Sequence, residues 1–419
     1  MLRSLRHSRV PFKTFRRAYT AEDPRQKFLQ EYKVRASLER LIHHYASQPL
    51  EKLSISAILE QSRKLNSTYI LQSARETIEQ LLTYNARRLR QFRDLPYLVM
   101  LNPSISESYN MYLKTMSVLI TASIHPPCTL EESQRLRSTV LQNFMEIHAD
   151  ALPTLSKGFS EVLHLLSVDK VKSFLDEHLR ERISMRLIAH QQISLTDSLT
   201  NGTFKEGSPH NGIVKPLNIK DVIMRNAELV NDICLMKYDQ SVKVTIDTNL
   251  HPPNFWTSKD EPDKLANEKD EPIIFPYIEY HLDYILMELF KNSFRAHIEN
   301  GVKDPVQVTV STSDSPSFLE MRIRDKGKGI PPHALSHVFD YSFSTYDSGE
   351  GDSYKTLNVP PGEAGHTVAG MGYGLPLSKN YIEIFNDTLS DKNKPAKGSL
   401  TVQSYYGWGT DVYLKTVGS

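Results

Sequence analysis

Residues 196–216 of this chain are rich in Gly, Ser, Asn and Pro, and the sequence pattern differs on their two sides. Between about residue 25 and residue 200 glycine is rare, and apolar residues recur at three- and four-residue spacing within 55–94, 130–148 and 168–195. That spacing is typical of amphipathic helices. After residue 216, strand-like and helix-like segments alternate. The sequence therefore predicts an α+β protein, in which a helical bundle precedes a mixed sheet with helices on one face.

We place the helical domain at residues 20–200, a linker at 201–216 and the second domain at 217–419, lengths that allow each domain its own core. The formal net charge of +1 gives no argument for nucleic acid or a membrane surface as a partner. No apolar run approaches the roughly 18–20 residues of a membrane-spanning helix. Two cysteines, Cys128 and Cys234, exclude a disulfide scaffold and fit a reducing compartment.

The N-terminus has a composition of its own. Arginine and lysine recur through the first seventeen residues, and no acidic side chain precedes Glu22. A basic, acid-free N-terminus is typical of a mitochondrial presequence, which we predict at residues 1–19. A basic arm that stays on the chain is the alternative interpretation.

One segment of the second domain, residues 281–296, predicts a helix with two different faces. Glu288, Asn292 and Arg295 are four and three residues apart, so they lie on one side of a helix. Four apolar residues form the adjoining stripe, which we expect to face a core: Leu282, Ile285, Leu286 and Leu289. The polar side is either an ordinary solvated face or the wall of a site for a charged ligand.

A predicted strand at 319–325 ends in an Asp-x-Gly-x-Gly sequence made by Asp325, Gly327 and Gly329. An Asp at a strand end accepts hydrogen bonds, for example from the exocyclic amine of adenine. The glycines allow a ligand to approach the backbone closely. A surface turn is the alternative for this short motif.

A second glycine cluster, Gly370, Gly372 and Gly374, precedes a predicted helix at 377–385. Backbone N–H groups at a helix start attract phosphate oxygens. The spacing matches neither the dinucleotide fingerprint nor the Walker loop, so those two folds are poor candidates. Residues 342–367 lie between the two glycine clusters and predict a long loop, of the kind that forms lids or disordered segments.

The order of these motifs resembles the ATP-binding domain shared by gyrase, Hsp90-type chaperones, histidine kinases and DNA-repair MutL, the GHKL-type (Bergerat) α/β sandwich. A Gly-x-Gly-Thr strand at 407–410 completes the series. Four blocks narrow the resemblance to the mitochondrial 2-oxo acid dehydrogenase kinases, that is, pyruvate dehydrogenase kinase and its branched-chain relative. The blocks are Glu-Leu-Phe-Lys-Asn-Ser-Phe-Arg-Ala at 288–296, Phe-Asp-Tyr-Ser-Phe-Ser-Thr at 339–345, Gly-Met-Gly-Tyr-Gly-Leu-Pro-Leu-Ser at 370–378 and Gly-Thr-Asp-Val-Tyr-Leu-Lys at 409–415.

The resemblance implies a protein serine kinase of the mitochondrial matrix that uses ATP and Mg²⁺ and inactivates the dehydrogenase subunit of the pyruvate dehydrogenase complex. Glu288 would be the general base, Asn292 a Mg²⁺ ligand and Asp325 the adenine contact. The helical domain would be regulatory and dock on a lipoyl domain, and the kinase would be a homodimer. The ATP-binding set would comprise Glu288, Lys291, Asn292, Arg295, Asp325, Gly327, Gly329, Ser344, Thr345, Gly370, Met371, Gly372, Tyr373, Gly374, Leu375 and Thr410.

Two positions depart from the pyruvate dehydrogenase kinase pattern. Tyr284 stands where those kinases carry a His one turn before the catalytic Glu, and it is closer to the branched-chain relative. Met145 replaces an Arg three residues before His148. A branched-chain kinase and a nucleotide-binding regulatory module without transfer activity are therefore alternatives. A histidine kinase is a poorer alternative, because Ala149 and Ala151 follow His148 where a histidine kinase has an acid and a base. This favours a structural or pocket-lining role for His148.

Overall fold

The computed structural model describes residues 24–51, 53–148, 151–248, 272–314, 317–341, 372–386 and 397–418. The predicted presequence lies outside these residues. None of the helices in the described ranges combines the length and apolarity that crossing a bilayer requires.

The first part of the chain is helical, as predicted. Its helices are α1 (Pro24–Ala46), α2 (Ile55–Arg63), α3 (Tyr69–Arg93), α4 (Tyr97–Met100), α5 (Pro103–Ile124), α6 (Leu130–Leu136), α7 (Gln142–Ile147), α8 (Ala151–Glu161) and α9 (Val168–Thr200). A π-helical segment, Arg137–Leu141, joins α6 to α7, and a 3₁₀ turn, Leu163–Leu165, precedes α9. Helix α3 packs against α1, α5 and α9 at the centre of the domain.

Local capping explains several of these helix starts. Asn102 accepts hydrogen bonds from the backbone N–H groups of Ser104 and Ile105, and Pro103 occupies the first helical position of α5. Thr129 and Glu132 form a reciprocal capping box at the start of α6.

The second part of the chain contains β1 (Val214–Asn218), α10 (Ile219–Tyr238), β2 (Val244–Thr248), β3 (Ile274–Ile278), α11 (Glu279–Glu299), β4 (Val306–Asp314), β5 (Ser317–Asp325), α12 (Pro332–Leu335), α13 (Gly374–Glu383), β6 (Ser399–Tyr405) and β7 (Gly409–Val417). Five strands form one sheet in the order β2-β4-β5-β7-β6. The β2–β4 pair is parallel and the other pairs are antiparallel.

Strand β5 shows how the sheet buries one face. Leu319, Met321 and Ile323 are buried, and the residues between them are partly exposed. Helix α11 packs against β5, α10 against β2, and α13 against β6 and β7. The predicted α+β architecture, a helical bundle followed by a mixed sheet covered by helices, is therefore confirmed.

Two elements begin earlier in the chain than the sequence indicates. Strand β1 begins at Val214, inside the predicted linker, because its pairing with β3 satisfies backbone hydrogen bonds and buries Val214 opposite Ile278. Helix α13 begins at Gly374, three residues before the predicted start. Pro376 is tolerated there because the first turn of a helix needs no backbone donor.

A buried ion pair joins α3 to α9, and we expect its disruption to destabilise the helical domain. Arg88 is fully buried and its guanidinium pairs with Glu181. Glu181→Leu leaves a buried cation without its main partner, which is expected to lower the free energy of unfolding by about 3 kcal/mol. Urea denaturation followed by circular dichroism measures this change. The double variant Arg88→Met/Glu181→Leu should recover most of the loss; equal instability of both variants would contradict the explanation.

Candidate active site

A cleft of about 570 Å³ lies between helix α11, the end of β5 and the start of α13. Its lining includes most of the predicted ATP-binding residues: Glu288, Lys291, Asn292, Arg295, Asp325, Gly329, Gly372, Gly374, Leu375 and Thr410. Two others, Gly327 and Tyr373, are adjacent in sequence to the lining but do not contribute to it. Ser344, Thr345, Gly370 and Met371 lie outside the described residues.

Strand register brings Asp325 and Thr410 together. Asp325 is the last residue of β5, and Thr410 is its partner in β7. The Asp325 Oδ1 atom accepts hydrogen bonds from the N–H groups of Gly327 at 2.9 Å and of Thr410 at 3.3 Å. Both donors are backbone groups, so the carboxylate orientation is set by the chain itself.

Burial raises the pKa of the Asp325 carboxyl to about 6, and the two backbone hydrogen bonds oppose that rise. The group is therefore ionised at neutral pH but is less acidic than an exposed aspartate. A strongly shifted carboxyl in a cleft is typical of a functional site.

The glycines after Asp325 serve packing as well as the cleft. A Cβ atom on Gly327 would lie 2.7 Å from the Cβ of Ala296 on α11. Gly329 has a φ of +74°, and a Cβ there would collide with the carbonyl of Tyr405 on β6. From the sequence we expected these glycines to allow a ligand to approach the backbone. In the structure, glycine is needed at both positions because α11 and β6 lie too close for a side chain.

Glu288 is the most enclosed acid of the α11 polar face. Its side chain is about one tenth exposed and pairs with the Nζ atom of Lys291. A Cβ atom on Gly374 would overlap Glu288 Oε2, so the first residue of α13 lies directly on this carboxylate. The Glu288 carboxylate therefore lies between Lys291 and the start of α13.

Asn292 and Arg295 lie further along the same helix. Asn292 is exposed within the cleft, which leaves its amide oxygen accessible to a ligand. Arg295 lines the cleft, and its Nε atom donates to Glu299 at 2.6 Å. The described residues contain no cluster of three His, Cys, Asp or Glu side chains that would hold a metal by themselves.

Sequence reasoning missed the apolar part of the lining. Val402 on β6, Val412 on β7 and Leu289 on α11 border the same cleft. The alternation of β7 could have identified Val412 as an inward-facing residue, but its neighbours across the sheet depend on strand order. An apolar floor beside one buried acid suits a flat heterocycle with a single polar edge.

Two residues that raised questions in the sequence lie outside the cleft. His148 is buried, its Nε2 atom is 2.8 Å from Thr115 Oγ1, and burial lowers its pKa to about 3. A neutral, enclosed imidazole fits the predicted structural role. Tyr284 packs its ring against Tyr381 of α13, with centroids 5.1 Å apart, and its hydroxyl is buried.

Comparison with known families agrees with this geometry. Residues 278–416 match the family model described as histidine kinase-, DNA gyrase B- and HSP90-like ATPase. The fold and the cleft thus define an ATP-binding domain of this class. Residues 52–215 match the model described as mitochondrial branched-chain alpha-ketoacid dehydrogenase kinase.

Individual relatives extend the similarity over nearly the whole chain. [Pyruvate dehydrogenase (acetyl-transferring)] kinase 1, mitochondrial, of Saccharomyces cerevisiae is 33% identical over 394 residues, which cover 93% of this chain and 90% of that protein. Pyruvate dehydrogenase (acetyl-transferring) kinase isozyme 1 of Homo sapiens is 27% identical, over 79% of this chain and 70% of the human protein. Isozyme 4 of Mus musculus is 28% identical, over 80% of this chain and 74% of the mouse protein. The chain therefore belongs to the mitochondrial 2-oxo acid dehydrogenase kinase family.

Replacement of Asp325 by Asn is expected to stabilise the fold increasingly as pH rises. The folded carboxyl has a pKa of about 6, against an ordinary value of 3.8. Between these values the folded state binds more protons than the unfolded state, so ionisation costs native stability that the amide retains. About two pKa units correspond to about 3 kcal/mol. Urea denaturation of both proteins near pH 4 and near pH 8 tests this; a difference independent of pH would contradict it.

Proposed function

We propose that this protein is an ATP-dependent serine kinase of the mitochondrial matrix that phosphorylates and inactivates the dehydrogenase subunit of the pyruvate dehydrogenase complex. The observation that carries the proposal is the position of Glu288, a buried carboxylate in the same cleft as Asp325 and the start of α13. The names of the relatives from yeast, human and mouse support pyruvate dehydrogenase as the target.

In this proposal Asp325 accepts a hydrogen bond from the exocyclic amine of adenine, with Thr410 beside it. The phosphates extend toward Lys291, Arg295 and the backbone of Gly372–Leu375, where helix α13 begins. Ser344, Thr345, Gly370 and Met371 complete the proposed phosphate contacts.

The reaction needs positioning and one proton acceptor. The Oγ atom of the substrate serine attacks the γ-phosphorus, the bond from phosphorus to the β,γ-bridging oxygen breaks, and ADP leaves. Glu288 takes the serine proton. Lys291 orients the Glu288 carboxylate before substrate binds, because its ammonium group pairs with that carboxylate.

The donor set in the cleft suits Mg²⁺ bound mainly through the nucleotide. Asn292 offers one amide oxygen, and magnesium commonly takes one or two protein oxygens, substrate phosphates and several waters. The ion would neutralise phosphate charge. Asn292 and the phosphates would hold it.

We also propose a domain organisation and an oligomeric state for the chain. Residues 1–19 act as a presequence, 20–200 as a regulatory domain that docks on a lipoyl domain, 201–216 as the linker and 217–419 as the kinase domain. The active kinase is a homodimer. The helical composition of the first domain and its match to a dehydrogenase kinase model support this division.

Glu288→Gln should abolish phosphate transfer while ATP still binds. The amide keeps the size of the side chain but cannot accept the serine proton, so we expect transfer to purified pyruvate dehydrogenase to fall about 100- to 10,000-fold. Radiolabel incorporation and calorimetric ATP binding measure the two properties separately. Asp283→Asn, one turn away and paired with Arg225 rather than lining the cleft, is the matched control. Equal incorporation by wild type and Glu288→Gln would exclude Glu288 as the base.

Asp325→Asn should remove the preference for adenine. Asn retains an oxygen for the N–H groups of Gly327 and Thr410, but it replaces the second carboxylate oxygen with a donor that opposes the exocyclic amine. We expect ATP affinity to fall about 100-fold, and discrimination between ATP and inosine triphosphate, which lacks the amine, to disappear. Calorimetry with both nucleotides measures this. Unchanged discrimination would place the adenine elsewhere.

The branched-chain complex is the second candidate substrate, favoured by the description of the model that matches 52–215 and by Tyr284. Assays on the two purified complexes side by side distinguish the substrates. A chain that binds nucleotide but phosphorylates neither complex would be the regulatory module instead.

A further inference from the structure

Helix α9 belongs to the helical domain, yet one of its faces makes polar contacts with the ATP-binding domain. Lys172, Asp176 and Arg180 are spaced by four residues and so lie in one row along the helix. Each pairs with a residue beyond the linker. Lys172 Nζ is 2.5 Å from Asp340 Oδ1.

The contacts of Arg180 and Asp176 belong to one chain of hydrogen bonds that begins and ends on α9. Arg180 donates from Nε to Asn380 Oδ1 at 3.3 Å and from its second nitrogen to Glu383 at 3.1 Å. Asn380 Nδ2 donates to the Tyr341 hydroxyl at 2.9 Å. The Tyr341 hydroxyl in turn donates to Asp176, which lies on α9 one turn before Arg180.

This chain of hydrogen bonds and the Tyr341 side chain hold helix α13 at two places. Asn380 and Glu383 are in its last turns. Tyr341 also packs its ring against Tyr373, with centroids 5.6 Å apart, and Tyr373 directly precedes the first residue of α13. The start of the same helix, Gly374, lies on the Glu288 carboxylate.

We infer that Asp176, Arg180 and Tyr341 are positioning residues for the phosphate end of the nucleotide site. None of the three lines the cleft, and they act by holding α13 so that the backbone of Gly372–Leu375 faces the phosphates. The helical domain thereby contributes to ATP binding through α9. This inference rests on the proposed nucleotide site. It gives Asp176, Arg180 and Tyr341 a role that the resemblance does not assign, and only Tyr341 lies in one of the family blocks.

The physical reason is that phosphate recognition by backbone groups depends on the placement of a whole helix start. Charge-assisted hydrogen bonds are stronger than neutral ones, and several partly buried bonds together restrain orientation as well as distance. Adenosine lacks phosphates and engages only the Asp325 end of the cleft. Loss of these hydrogen bonds should therefore weaken the binding of ATP but not the binding of adenosine.

The test measures ATP and adenosine binding to the full chain by calorimetry. Tyr341→Phe removes the hydroxyl that bonds to both Asp176 and Asn380, and keeps the aromatic ring packed against Tyr373. Asp176→Leu removes the hydrogen-bond acceptor on α9. We expect each to weaken ATP about tenfold and leave adenosine within about twofold. Asp176→Asn, which keeps an acceptor oxygen for the hydroxyl, should restore most of the ATP affinity.

Asp197→Leu is the matched control. It lies on the same helix and loses a partly exposed ion pair, with Arg137, that does not reach α13. We expect wild-type affinity for both ligands from this control. Unchanged ATP binding in Tyr341→Phe and Asp176→Leu, or equal loss of ATP and adenosine, would overturn the inference. A wild-type chain that binds neither ligand would overturn the proposed nucleotide site itself, and this inference with it.

Discussion

The burial of the apolar face of helix α11, which packs against α10 and β5, is the interaction on which the site depends. Leu286, Phe290 and Phe294 are fully buried on that face, and aromatic and aliphatic burial of this kind contributes about 1.5–3 kcal/mol for each side chain. With the apolar face immobilised, Glu288 and Asn292 have one possible direction, toward the cleft. The packing of the core therefore sets the geometry of the proposed chemistry.

The second constraint is the closeness of α13 to α11. Gly374 lies on Glu288, and Tyr381 packs against both Tyr284 and His281. A helix start that approaches a carboxylate so closely needs glycine at the contact, because any side chain would displace the acid. The same approach places this mostly enclosed acid between Lys291 and the helix start, and both restrict its position.

The two domains meet through apolar and polar contacts. One hydrophobic core cluster includes residues of both domains, and Lys172, Asp176 and Arg180 of α9 add hydrogen bonds and ion pairs. Rows of hydrogen bonds and ion pairs fix orientation more sharply than apolar contact, which is non-directional. His190 of α9 also contacts the ring of Tyr280 on α11, with centroids 4.8 Å apart. The boundary between the domains thus reaches two of the helices that border the nucleotide cleft, which is a physical basis for the helical domain to influence the kinase domain.

Local periodicity was enough to predict α11, β5, the division into a helical half and a mixed-sheet half, and the candidate acids Glu288 and Asp325, because each depends on neighbours within a few residues. The meeting of Asp325 with Thr410, 85 residues away, required strand order and register. Asp176 and Arg180 carry no motif, since charges at four-residue spacing are ordinary on a helix, and Tyr341 lies in the 339–345 block without a role that the resemblance assigns. Only the tertiary structure brings α9 to α13, because contacts between distant segments arise from the packing of whole elements and leave no local periodicity.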